Sequence, residues 1–198
     1  GFEPKTKKKL SLGIAKIIGP PTDFRGVNVR TESGERVGQG PKGPKASGML
    51  MVDGVLYMWA RNTGNSQLAW SSDHGKTWAW SDWKFTTSLG YPTFLNFGKN
   101  YAGPRDNYVY VYSHDADSAY TPADRMVLAR VPKGQIRDRT GYTFFDRLDA
   151  HAEPVWTKNI NRRGEVFKNP GRCYRSGISY SPALRRYFWC QILPGDDT

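Results

Sequence analysis

The side chains best suited to chemistry crowd into one stretch, His114-Asp115-Ala116-Asp117-Ser118-Ala119-Tyr120-Thr121-Pro122-Ala123-Asp124-Arg125. Glycoside hydrolysis needs two carboxyl groups, ~5–5.5 Å apart for retention or ~6.5–9.5 Å for inversion, one of them protonated so that it can donate. Asp115, Asp117 and Asp124 are the candidate catalytic residues on that basis. The expected pair is Asp115 or Asp117 with Asp124, or with a carboxylate outside this chain. The plain alternative for each Asp is turn capping, since Asp bonds readily to nearby backbone N–H groups in loops. A polysaccharide lyase would use a Tyr/His or Tyr/Arg base beside a neutralised uronate, which His114, Tyr120 and Arg172 could supply. No second His stands at ligand spacing from His114, so a metal site is not expected, and no motif calls for a cofactor.

Such groups act only if rigid elements gather them. Alternation of apolar and polar residues divides the chain into repeating units. Met49 to Val52 and Val55 to Ala60 read as strands joined at Asp53-Gly54, a type I′ hairpin signal. A polar loop, Arg61 to Ser66, leads to a third strand at Gln67 to Ser71 and a fourth around Trp78 to Phe85. The order repeats with strands at Thr93 to Phe97, Tyr108 to Ser113, Met126 to Val131 and Tyr142 to Phe145, the loop His114 to Asp124 standing before the third. A third unit shows its opening hairpin, Tyr174 to Tyr180 and Tyr187 to Ile192.

Between the third and fourth strands of the first unit lies Ser71-Ser72-Asp73-His74-Gly75-Lys76-Thr77-Trp78. Ser71, Asp73, Gly75, Thr77 and Trp78 resemble the Asp box, a hairpin turn on the blades of sialidase-like β-propellers. The spacing has a physical reason: Asp accepts N–H bonds within its own turn, Gly takes a positive φ, and Trp packs on the sheet. These residues read as structural. An ordinary Asp/Gly turn beside a Trp-rich strand is the competing reading.

The resemblance extends further. Lys45 to Leu50, Asn65 to Ser71, Tyr108 to Ser113, Ala123 to Pro132 and Gly177 to Leu184 are similar to a largely uncharacterised bacterial family of propeller domains, DUF4185, over most of the chain. Some of its relatives are glycoside hydrolases that cut arabinan-type polysaccharides with an acidic pair. The resemblance implies a five-bladed propeller that acts on or binds carbohydrate, secreted or periplasmic. No catalytic residue is carried over, because the family's carboxylates can lie in blades this chain lacks. The arginine triad of true sialidases is not matched.

The expected fold is therefore all-β, a partial β-propeller of about two and a half four-stranded antiparallel blades. One incomplete domain covers residues 1–198, with blade units at about 45–86, 91–146 and 172–198 and a leading strand at 10–17. A ring needs more blades, so the chain reads as the middle of a larger protein. A β-sandwich of similar strand count is the alternative. In a propeller, inner-strand starts and the loops after second strands share one rim. That rim would collect Lys45, Ser47, Tyr91, Thr93, Arg172, Tyr174 and Arg175 with Arg61, Asn62, Asn65, His114, Asp115, Asp117, Tyr120, Asp124 and Arg125. Of these, Lys45, Arg61, Asn62, Tyr91, His114, Tyr120, Arg172, Tyr174 and Arg175 are the candidate substrate-binding residues. Arg172 and Arg175 could clamp a carboxylate or sulfate, or pair with Asp115 or Asp124.

A net charge of +11 fits either a solvated basic surface or an anionic partner. An acidic polysaccharide or oligosaccharide is the favoured anion, and nucleic acid is disfavoured because no nucleic-acid motif accompanies the charge. No apolar run reaches the ~20 residues of a membrane span. The 2 cysteines, Cys173 and Cys190, form no framework, and the hairpin register sets Cys190 opposite Gly177; two free buried thiols are expected. The functional expectation is a carbohydrate-active propeller, a glycoside hydrolase or part of one. A non-catalytic glycan- or protein-binding propeller is the alternative, and a lyase the third reading.

Overall fold

The computed structural model describes residues 14–29 and 43–193, and every structural statement below concerns those residues. It is all-β. A two-stranded hairpin, β1 (Ile14–Ile18) and β2 (Arg25–Val29), precedes a four-stranded antiparallel sheet in the order β3 (Lys45–Val52), β4 (Val55–Arg61), β5 (Ser66–Ser71), β6 (Ala79–Phe85). A second sheet follows, built from β7 (Thr93–Asn96), β8 (Tyr108–His114), β9 (Ala123–Pro132) and β10 (Thr143–Leu148). It is extended by β11 (Pro154–Thr157), β12 (Phe167–Cys173), β13 (Ser176–Ser181) and β14 (Arg186–Gln191).

The turns of the first sheet form as their residues dictate. Asp53 and Gly54 both take positive φ, 47° and 80°, as a type I′ turn requires. After β5 the chain reverses through Ser71–Trp78. There the Asp73 carboxylate accepts from the backbone N–H of Lys76 at 3.0 Å and of Thr77 at 2.9 Å, and from the Thr77 hydroxyl at 2.6 Å. The Ser71 hydroxyl donates to Asp73 at 2.7 Å and accepts from Gly75 N–H at 2.7 Å. Bonds from Thr77, then Ser71, hold the Asp73 carboxyl far below the usual carboxylate range. Trp78 donates to Gly75 O at 3.1 Å and packs on Met58 and Ala69, with Ile14 against it.

The two sheets meet face to face around Trp59, which is fully buried. Its ring centroid lies 5.9 Å from Trp83, 5.3 Å from Phe85, 6.0 Å from Phe94 and 6.1 Å from Tyr142. Leu50, Leu68, Val109, Val111, Val127, Ala129 and Phe144 complete this core. β3 and β7 approach closely: a Cβ on Gly48 of β3 would sit 2.7 Å from the Thr93 Cα of β7. A side chain here would wedge the sheets apart.

Three expectations change. The third unit does not stand apart: β13 pairs in parallel with β7, Ile178 opposite Leu95 and Ser179 opposite Asn96. Among the described residues no sheet closes on itself. The hairpin within that unit has the expected register, Gly177 opposite Cys190 and Tyr180 opposite Tyr187. Both cysteines are free, but only Cys173 is buried; Cys190 lies exposed on the outer strand. The leading strand is shifted, β1 pairing with β2, and the expected portion from Leu10 to Gly13 lies outside the described residues.

The chain also forms β12, which its Asn169-Pro170-Gly171 run does not suggest. β10 pairs with only part of β9, at Arg130 and Ala129. β12 takes the same edge farther back, pairing Phe167 with Met126, Lys168 with Arg125 and Cys173 with Ala123 across a register shift. Gly48→Ala is expected to destabilise the fold by about 1–3 kcal/mol through overpacking. Gly134→Ala, where a Cβ would meet nothing within 4 Å, is the control, and urea unfolding midpoints compare the two.

Candidate functional site

Three segments converge at one end of the sheets: the loop after β4, the loop after β8, and the turn between β12 and β13. Tyr120 is their meeting point and is 48% exposed. The Arg61 Cζ lies 5.0 Å from the Tyr120 ring centroid and 5.5 Å from that of Tyr91. The Arg175 Cζ lies 4.9 Å from Tyr120 and 4.7 Å from Tyr174. Asn62 Nδ2 donates to the Tyr120 hydroxyl at 3.1 Å and to Gly43 O at 3.2 Å. Lys45 stands opposite Arg61 in the β3–β4 ladder. The Asn62 hydrogen bond, with the charges of Arg61 and Lys45, lowers the Tyr120 phenol pKa against a smaller opposing effect of burial.

Backbone packing explains why this loop is held. Gly90 donates its N–H to Ala116 O at 2.8 Å, and a Cβ there would fall 2.6 Å from the Ser118 carbonyl carbon. Only glycine lets the two segments touch. Arg175 Nε donates to Ala119 O at 2.7 Å and its Nη2 to the Tyr174 hydroxyl at 2.7 Å. His114 is fully buried with its ring 5.8 Å from that of Tyr174. Its Nε2 lies 2.9 Å from Ser118 O, which can only accept, so Nε2 carries the proton. Burial lowers its pKa, and the Arg175 charge adds to this. Neutral His114 therefore braces the loop from beneath.

All the candidate binding residues except Arg172 meet here. Arg172 is exposed on β12, where its carbonyl accepts from Gln191 Nε2 at 2.8 Å. Arg61 has no ion-pair partner among the described residues, and its Nε and Nη1 are buried without a hydrogen-bond acceptor.

The candidate acids occupy different surroundings. Asp115 is 7% exposed at its side chain and is gripped by Arg125 Nε and Arg163 Nε, each at 2.6 Å. Burial alone would raise its pKa, but the Ser88 hydroxyl beside it and the two guanidiniums outweigh that and keep it below the usual range. A general acid needs the opposite shift, so Asp115 is suited to anchoring the loop. Asp117 accepts the Ser88 N–H at 2.5 Å, tying the loop to the segment before Gly90. Asp124 lies within β9 and accepts the Gly171 N–H at 2.8 Å. It shares an open cleft of about 400 Å³ with Asp115, Arg125, Glu165 and Lys168. Arg172 and Arg175 are not the partners of Asp115 or Asp124; Arg163 and Arg125 hold Asp115 instead. Arg163 and Glu165 sit between sheet elements in a run, Arg162-Arg163-Gly164-Glu165, that carries no motif.

No family model matches the chain, and no curated protein matches it. Among solved structures, a match is the phage phi92 endosialidase, at 14% identity and a TM-score of 0.36 over 82% of this chain. The chain spans 23% of that protein's length. No helix among the described residues is long and apolar enough to cross a membrane.

The Asp115 ion pairs set a pH dependence with a definite sign. Its folded pKa lies below the unfolded value near ~3.9, so its contribution is complete above that value and disappears as pH falls through the folded one. Asp115→Asn is expected to cost about 1–3 kcal/mol near neutrality, by removing the partner of Arg163 and Arg125, and to flatten the acid limb of stability. Unfolding free energies measured from neutral to strongly acidic pH check both.

Proposed function

We propose that the chain recognises an anionic saccharide at the Tyr120 mouth. The observation that carries this reading is the arrangement of Arg61 and Arg175 over tyrosine rings, with no carboxylate pairing with Arg61. A cation held by π faces keeps its charge available to an incoming anion. Guanidinium geometry suits a planar carboxylate or a sulfate, and Tyr91, Tyr174 and Asn62 offer ring surface and an amide for the sugar hydroxyls. Tyr120 itself has guanidiniums over its ring, so its hydroxyl rather than its ring face is the group left for a ligand.

A second reading, glycoside hydrolysis, is favoured by one feature: Asp124 and Glu165 line the same cleft. Asp115, already bound to two arginines, would there act only as a fixed negative charge. Family membership in DUF4185 and secretion remain part of the same proposal, supported by the sequence resemblance alone.

The expected outcome is that the chain is retained on columns of uronate- or sulfate-bearing polysaccharide and not on neutral glucan, with retention weakened by salt. Arg61→Ala and Arg175→Ala should each weaken binding by about 10- to 100-fold, the range for losing a charged hydrogen-bond partner. Calorimetric titration with an acidic oligosaccharide reads the change. Asp124→Asn and Glu165→Gln should leave that affinity intact; if they also abolish release of reducing ends, the second reading stands.

A further inference from the structure

We propose that Tyr120 is the base of a β-elimination on a uronate-containing glycan held at this mouth. The inference rests on the saccharide reading above and carries it from binding to bond cleavage. Its basis is geometric. The phenolic oxygen of Tyr120 accepts from Asn62 Nδ2 at 3.1 Å, and the residue is half exposed. Guanidinium carbons of Arg61 and Arg175 stand 5.0 Å and 4.9 Å from its ring centroid. A proton acceptor, a hydrogen-bond donor to that acceptor, and two cations are thus gathered around one phenol ring. Among the described residues no carboxylate pairs with Arg61 or bonds to the Tyr120 hydroxyl. Elimination needs none.

The step balances without water, oxidant or cofactor. The uronate carboxylate lies against Arg61 or Arg175, whose charge stabilises the extra electron density that builds on it as C5 loses its proton. The Tyr120 phenolate takes the C5 proton, and the C5–H electron pair becomes the C4=C5 double bond. The C4–O glycosidic bond breaks, and its electrons leave with the oxygen. That oxygen takes the proton back from Tyr120, which returns as phenolate. One chain becomes two, the newer non-reducing end carrying a 4,5-unsaturated uronate. Asn62 and the neighbouring cations also lower the phenol pKa, which raises the fraction of base present near neutrality. His114 takes no part in this step, because it is buried and its proton is committed to Ser118 O.

The test incubates the 198-residue chain with polygalacturonate, alginate and hyaluronan and follows the ultraviolet absorbance of the conjugated double bond. Retention on columns of the same polymers is measured in parallel. Absorbing product is expected from at least one polymer. Tyr120→Phe should lower its rate by about 100-fold or more while retention persists, because the ring and its cation contacts remain. Asn62→Ala should move the alkaline-rising limb of the pH–rate profile upward, a change that loss of packing alone would not cause. Retention without absorbing product overturns the elimination and leaves the saccharide reading standing. Loss of both retention and product overturns the two together, and undiminished product from Tyr120→Phe removes Tyr120 as the base.

Discussion

Everything at the mouth depends on how two sheets are held at one angle, and that angle is set at Trp59. Its ring meets aromatic partners from β6, from β7 and from the segment entering β10. Offset and edge-on aromatic pairs have preferred geometries, each contributing about 0.5–1.5 kcal/mol beyond the area they bury. Several such preferences satisfied around one indole leave little freedom for sliding or rocking. The loops that leave β4 and β8 therefore keep a constant separation, and Arg61 can reach Tyr91 and Tyr120 together.

The arginines divide into two kinds by the company they keep. Arg125 and Arg163 spend their charge on Asp115, and the result is a fixed loop root with little field beyond it. Arg61 is positioned by the Tyr91 and Tyr120 rings, which orient a guanidinium without cancelling it, and Arg175 by the Tyr120 and Tyr174 rings and the Ala119 carbonyl. Proximity to acids was the natural guide to chemistry in the sequence, yet the acids turn out to serve mainly as hydrogen-bond acceptors for the backbone and for arginine. The aromatic and basic residues beside them keep their capacity for a ligand.

How much could be read from the chain alone follows the range of each interaction. Local signals were legible: Asp53-Gly54 as a primed turn, the Ser71–Trp78 reversal, and the Tyr180–Tyr187 pairing are all short-range and encoded by neighbours. Lys45, Arg61, Asn62, Tyr91, Tyr120, Tyr174 and Arg175 do lie near one another, an expectation that rested on assuming propeller geometry and not on strand order alone. Long-range pairing was not legible. β12 contains Pro170 and Gly171 and forms only because β9 offers an edge that β10 leaves vacant. The grip of Arg163 on Asp115 spans 48 positions with no motif at either end. The parallel ladder between β7 and β13 likewise depends on tertiary convergence, which no local pattern records.

That ladder has a mechanical consequence. Hydrogen bonds running continuously from β11 to β14 make the later part of the described chain, from β7 onward, one woven fabric, whereas no backbone ladder joins β3 to β6 to it. Force or heat can peel the first sheet away along an apolar seam without tearing any inter-strand backbone bond. Amide protons on β3 to β6 should then trade with solvent in a separate, earlier phase. The mouth, which takes Arg61 from one fabric and Tyr120 from the other, is the first thing such peeling would unmake.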